Sequence, residues 1–201
     1  MTNSLNIKKI VIITAFLSAL LMGGSSILAA DNKATNTNIS FNNQTENSLE
    51  IVNVPSLNFG THTSGDKTLA KDTSDKPHIH IKDSTGTYNG WDLTVKTEGF
   101  YNQDKLNKNF RLFFNKPSIV PTENNAAIDA PVFSSEQVEV GTTPTQILKA
   151  SENKGIGHWL ANFYDDNMFK SEGIQLQIPT SAYQGHYQAN LVWELNAGPS
   201  K

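Results

Sequence analysis

Two Trp-x-Leu tripeptides, Trp91-Asp92-Leu93 and Trp193-Glu194-Leu195, lie far apart in the chain, each within a run of alternating apolar and polar residues. On extended backbone, residues i and i+2 share a face, so Trp and Leu of each copy point one way while Asp92 or Glu194 points the other. An indole beside a leucyl group can stack on the C–H face of a saccharide ring or dock into an apolar pocket of a protein partner. The carboxylates could add polar contacts or merely solvate the reverse face. The competing reading is that both pairs are core, the usual fate of Trp and Leu on an amphipathic strand.

Other residues with chemical potential are less persuasive. His78 and His80 share a strand face and could ligate a metal together, but no third ligand is identifiable, so they read as surface positions opposite Ile79 and Ile81. His158 and His186 read as surface or hydrogen-bonded loop residues. Asp165-Asp166-Asn167 lacks the ligand spacing of a calcium loop. As an acid/base pair for glycan hydrolysis, these two acids would need a defined separation and a cleft. Gly155-Ile156-Gly157 is followed by neither a Lys-Ser/Thr pair nor a helix, and no serine sits in a nucleophile elbow. The expectation is a binding protein with no catalytic residue, no metal and no cofactor.

The elements that must position these residues read as short strands separated by turn chemistry. Strand-like stretches are Leu49 to Val54, Leu57 to Gly60, His78 to Lys82, Trp91 to Lys96 and Phe110 to Phe114. Ile119 to Pro121, Gln137 to Val140, Thr145 to Leu148 and Ile174 to Pro179 follow, and Tyr187 to Leu195 alternates as one long strand. Helical periodicity is confined to a short stretch near Ala161 to Phe169. This pattern predicts an all-β fold: a single-domain β-sandwich or partly closed β-barrel, Ig-like in character, with long loops and at most one short helix. A nine-residue final strand would reach about 30 Å. It would therefore carry Trp193 and Leu195 past the edge of the core, where Trp91 and Leu93 could join them in one exposed apolar patch.

Composition narrows the setting. Lys8 and Lys9, the apolar run from Ile10 to Met22 and the small residues ending at Ala29-Ala30 form a secretion signal over residues 1–30. The apolar run is too short to span a bilayer, and no later stretch could do so. Residues 31–47 are rich in Asn and Thr and read as a flexible arm, with a short edge strand as the alternative. Residues 48–201 form the β-domain. Cleavage removes two lysines, taking the net charge from 16 − 19 = −3 to 14 − 19 = −5. With Arg111 as the sole arginine, nucleic acid is an improbable partner. The absence of cysteine excludes disulfides and thiolate metal sites.

Several motifs occur in order along the chain: Val54-Pro55-Ser56-Leu57-Asn58-Phe59-Gly60, Gly90-Trp91-Asp92-Leu93-Thr94-Val95, Gly155-Ile156-Gly157-His158-Trp159 and Leu176-Gln177-Ile178-Pro179. Gly185-His186-Tyr187 then leads into the second Trp-x-Leu and Asn196-Ala197-Gly198-Pro199. In these the chain resembles the WxL-domain surface proteins of Gram-positive bacteria. The resemblance implies a secreted protein held non-covalently at the cell wall, binding peptidoglycan or another wall polymer and working with a membrane-anchored surface partner. Carried over by position, it makes Trp91, Leu93, Trp193 and Leu195 the binding residues, with Asp92 and Glu194 beside them. An adhesin for host or plant matrix, or a module docking on the anchored partner, is the alternative. The turn before the first motif departs from the family pattern, with Ser84 and Thr85 where a basic residue is usual, and Asn58 replaces a commonly acidic residue.

Overall fold

The computed structural model describes residues 31–35, 48–63, 68–122, 129–164 and 173–198. The expected secretion signal and the Asp165-Asp166-Asn167 cluster lie outside the described residues. Among the described residues, sixteen strands form four antiparallel sheets. The all-β expectation holds as a sandwich-like arrangement without barrel closure.

The central five-stranded sheet has the order β1(Asp31–Thr35), β16(Leu191–Ala197), β5(Trp91–Thr97), β12(Thr145–Ala150), β10(Val132–Phe133). A second sheet orders β11(Gln137–Val140), β8(Arg111–Asn115), β14(Ile174–Ile178), β3(Thr68–Lys71). A third orders β2(Leu49–Asn53), β4(His78–Asp83), β13(Gly157–Asn162), β9(Ser118–Pro121). A small sheet of β15(Tyr187–Gln188), β6(Phe100–Asn102) and β7(Lys105–Asn107) closes one end.

Period-2 patterning explains which faces are buried. On β4, Ile79 and Ile81 are buried while His78, His80 and Lys82 are half-exposed; on β8, Leu112 and Phe114 point inward. An aromatic cluster joins the central and second sheets to Phe163, the residue that follows β13. Phe114 of β8 meets Trp193 of β16 edge-on at 5.9 Å and Phe163 at 5.2 Å, and Phe163 meets Phe133 of β10 at 6.1 Å. Edge-to-face contacts of this kind set the complementary charge of a ring edge and a ring face together.

Two sequence expectations change here. The single strand from Tyr187 to Leu195 is broken at Ala189-Asn190 into β15 and β16, which belong to different sheets. Residues 31–47 begin as an edge strand, with β1 pairing along β16 from Asp31↔Leu195 to Thr35↔Leu191. Main-chain pairing needs no apolar side chains, so a polar sequence can occupy an open sheet edge. Residues 36–47 lie outside the described residues.

Candidate functional site

The two Trp-x-Leu motifs meet, as expected, but in the interior. β5 and β16 are hydrogen-bonded neighbours, and their register sets Leu93 directly opposite Leu195. Trp193 lies opposite Val95, and Trp91 opposite Ala197. On its other side Trp91 faces Ala150 of β12. Small residues on both flanking strands thus leave room for the first indole. Trp91, Leu93, Trp193 and Leu195 are each 0% exposed, so the anticipated outer patch does not exist. The physical reason is twofold: Trp193 and Leu195 lie in the middle of β16 instead of on an overhanging tip, and the face they share is covered, Trp193 packing edge-on against Phe114 of the second sheet.

The carboxylates move with them. Asp92 is buried, set opposite Lys149 of β12 and Asn196 of β16, and Glu194 is half-buried opposite Thr94. A cross-strand charge pair is the ordinary way to accommodate a carboxylate such as Asp92 inside a sheet.

The two indoles differ in their polar partners. Trp91 donates from Nε1 to the Gly155 carbonyl at 3.0 Å, tying the 151–157 loop to the central sheet. Gly155 has φ +75°, and a Cβ there would fall 2.4 Å from the Ala150 Cβ and 2.6 Å from the Trp91 Nε1. Both its backbone conformation and its packing therefore require glycine. The Gly-Ile-Gly stretch is thus a seat for Trp91. Trp159, also buried, donates to the Ile156 carbonyl at 2.9 Å. Trp193 Nε1 has no hydrogen-bond partner among the described residues.

The open surface lies at the other end of β16. A groove of about 1000 Å³ runs between the 55–63 segment and the 182–189 segment, over a floor that includes Phe100, Leu112, Leu176 and Leu191. Phe110 stacks on Phe100 at 4.9 Å and touches Tyr187 at 4.8 Å. Tyr183 is 83% exposed at the rim, and the Tyr187 hydroxyl donates to its backbone carbonyl at 3.1 Å. The lining also carries amide, hydroxyl and imidazole groups, Asn58, Thr61, His62, Gln184, His186 and Gln188 among them, beside apolar Leu57, Phe59 and Ile178.

Hydrogen bonds hold both walls. The buried Asp72 carboxylate accepts from the Asn58 amide N–H at 2.8 Å and from the Ser74 N–H at 3.2 Å. The Asn58 carbonyl accepts from Thr73 N–H and Oγ1 at 2.7 and 2.9 Å, and the Asn58 side chain accepts from the Gly60 N–H at 2.9 Å. Leu57 to Gly60, expected as a strand, is irregular backbone because its polar groups go to this local network and Gly60 turns with φ +72°. Opposite, β15 pairs with β6, and the Gly185 backbone approaches the Asn102 side chain so closely that a Cβ would lie 2.1 Å from its Nδ2.

A second cleft of about 1100 Å³ shares the 183–188 wall and carries Lys105 and Lys108 on its far side. The sequence did not flag Asp72, Phe59, Phe110 or Tyr183 as functional. Their only prior signal was the Pro55-to-Gly60 motif and the Gly185-His186-Tyr187 lead-in.

The histidines form a pair on a different face. A ring nitrogen of His80 on β4 lies 3.2 Å from one of His158 on β13, and His78 is close enough to add its influence. Partial burial, then the neighbouring His158 and His78, push the His80 pKa down to about 4. No group of three or more His, Cys, Asp or Glu among the described residues could hold a metal ion. Ser84 and Thr85 satisfy their turn locally. Thr85 donates to the buried Asp83 carboxylate through N–H at 3.0 Å and Oγ1 at 2.7 Å, and Ser84 Oγ accepts from the Ser48 N–H at 3.1 Å.

Against known proteins, residues 30–199 match a family described as WxL domain, surface cell wall-binding. No curated protein and no solved structure matches the chain.

Proposed function

We propose that this chain, which belongs to the WxL family of surface cell wall-binding domains, attaches non-covalently to peptidoglycan and serves as a subunit of a surface complex. The observation that carries this reading is the groove flanking β15 and the start of β16, an open, aromatic, hydrogen-bond-rich channel on a rigid β scaffold. Concave sites with apolar floors and a few polar groups at the rim are the usual form of small-ligand sites, and this volume lies at the upper end of their range.

The Trp-x-Leu pairs then act from within. They lock β5 to β16, and β16 begins at Leu191 on the groove floor. Export after Ala30 is supported by the family match, which begins at residue 30. Among the described residues, no helix is long and apolar enough to cross a membrane. The subunit role draws support from β3 and β10, which stand last in their sheets and carry the exposed apolar side chains Leu69 and Val132 for a partner protein to cover.

The test is co-sedimentation of the protein comprising residues 31–201 with purified wall sacculi, beside purified matrix polymer and the ectodomain of a membrane-anchored surface protein. Saturable retention on sacculi is expected. Retention on matrix polymer alone would identify an adhesin instead.

A further inference from the structure

We infer that the groove takes an uncharged, N-acetylated saccharide chain, not an anionic wall polymer or a charged peptide. The inference rests on the wall-binding reading only for the source of its ligand.

Among the described residues, no lysine, arginine, aspartate or glutamate lines the groove. Burying a phosphate or carboxylate against phenylalanine and leucine without a cation is unfavourable, because the desolvated charge goes uncompensated. A stem peptide's charged groups would meet the same barrier. What the groove does offer is aromatic rings, side-chain amides and hydroxyls. Sugar rings present C–H patches to aromatic faces, and their hydroxyl and acetamido groups both donate and accept hydrogen bonds, as Asn58, Gln184 and Gln188 do. Tyr183 stands out from the rim with its ring free to stack, while its backbone carbonyl is held by the Tyr187 hydroxyl.

The neighbouring cleft supplies the internal comparison. Lys105 and Lys108 lie there, across the 183–188 wall, so an anionic polymer would be drawn to that side.

The probe is the uncharged β-1,4-linked pentamer of N-acetylglucosamine, titrated into the protein by calorimetry and used as competitor in the sacculus assay. Sacculi stripped of phosphate polymer, and soluble glycerol-phosphate polymer, run in parallel. Tyr183→Ala, which keeps the backbone carbonyl that Tyr187 bonds, should bind the pentamer about tenfold more weakly at unchanged Tm. Tyr183→Trp should restore binding. Lys105→Gln with Lys108→Gln should leave it unaltered.

Retention on sacculi that Tyr183→Ala does not weaken, or that the phosphate polymer but not the pentamer displaces, overturns the saccharide inference and leaves wall attachment standing. Pentamer binding in a protein that sacculi do not retain overturns wall attachment and leaves the groove assignment standing. Binding of neither overturns both.

Discussion

At the residue scale, the two tryptophans with the same neighbours in sequence do different work. Trp91 donates to Gly155 O, whereas Trp193 packs on Phe114 with its N–H unmatched among the described residues. Replacing either with phenylalanine removes similar volume, but only Trp91→Phe also strands a buried carbonyl. Trp91→Phe should therefore destabilise by about 1 kcal/mol more than Trp193→Phe in urea unfolding. Trp193→Ala opens a cavity between the central and second sheets and should cost about 3–5 kcal/mol. Any accompanying loss of wall binding would then track unfolding and not a missing contact. A third residue-level expectation concerns pH. His80 has a folded pKa of about 4 against an ordinary value of 6.5, so between these values the unfolded chain holds the extra proton. Its contribution to stability is complete above pH 6.5 and is lost as pH falls towards 4. His158, His78 and Lys82 face it with no acid among them save Glu50, which lies across from Lys82 on β2. Allowing for partial exposure, the loss is on the order of 1 kcal/mol, and His80→Gln should reduce the fall in unfolding free energy between pH 7 and pH 4.5, read by urea titration, by that amount.

At the element scale, the sequence announced strands far better than it announced their partners. Alternation located β11 at Gln137–Val140 and the inner faces of β4, β8 and β14, because a two-residue period with one wet face is written directly in residue types. The same alternation ran unbroken from Tyr187 to Leu195 and concealed the break at Ala189-Asn190, since a chain can leave one sheet and join another without losing its pattern. That break leaves Trp193 in mid-strand, with Phe114 of the facing sheet against it. β1 was ambiguous for the opposite reason: an edge strand needs only main-chain groups, and those leave no trace in composition. Asp72, the buried acid that fixes the Asn58 wall, reads in sequence as another loop aspartate, because what distinguishes it is burial against a segment fourteen positions away. Asp72→Ala should leave two amides without their acceptor and loosen that wall. The expected result is a stability loss of about 1–3 kcal/mol together with weaker retention on sacculi at temperatures where the protein is still fully folded by circular dichroism.

At the scale of the whole molecule, the Trp-x-Leu pairs that hold the fold are separate from the groove proposed as the binding surface. Sequence-distant motifs close on each other as β5 and β16, bring the C-terminal strand beside the first Trp-x-Leu, and end with the Gly198 N–H donating to the Gly90 carbonyl at 2.8 Å. The groove is built at the far end of the same strand by segments from four parts of the chain, so no contiguous motif could have named it. The net charge of the whole chain is −3, and wall phosphate polymers are anionic, so general attraction between the two is absent. Binding must then come from short-range stacking and hydrogen bonding, which salt barely screens. Raising the salt concentration about tenfold, from 0.05 to 0.5 M, should change retention on sacculi less than about twofold. Were two phosphates neutralised by Lys105 and Lys108 instead, counterion release at the slope typical of single-stranded polyphosphates would weaken binding roughly 25-fold over the same range. Sedimentation at graded salt distinguishes these outcomes without any variant, and a steep decline would transfer the site from the uncharged groove to the lysine cleft.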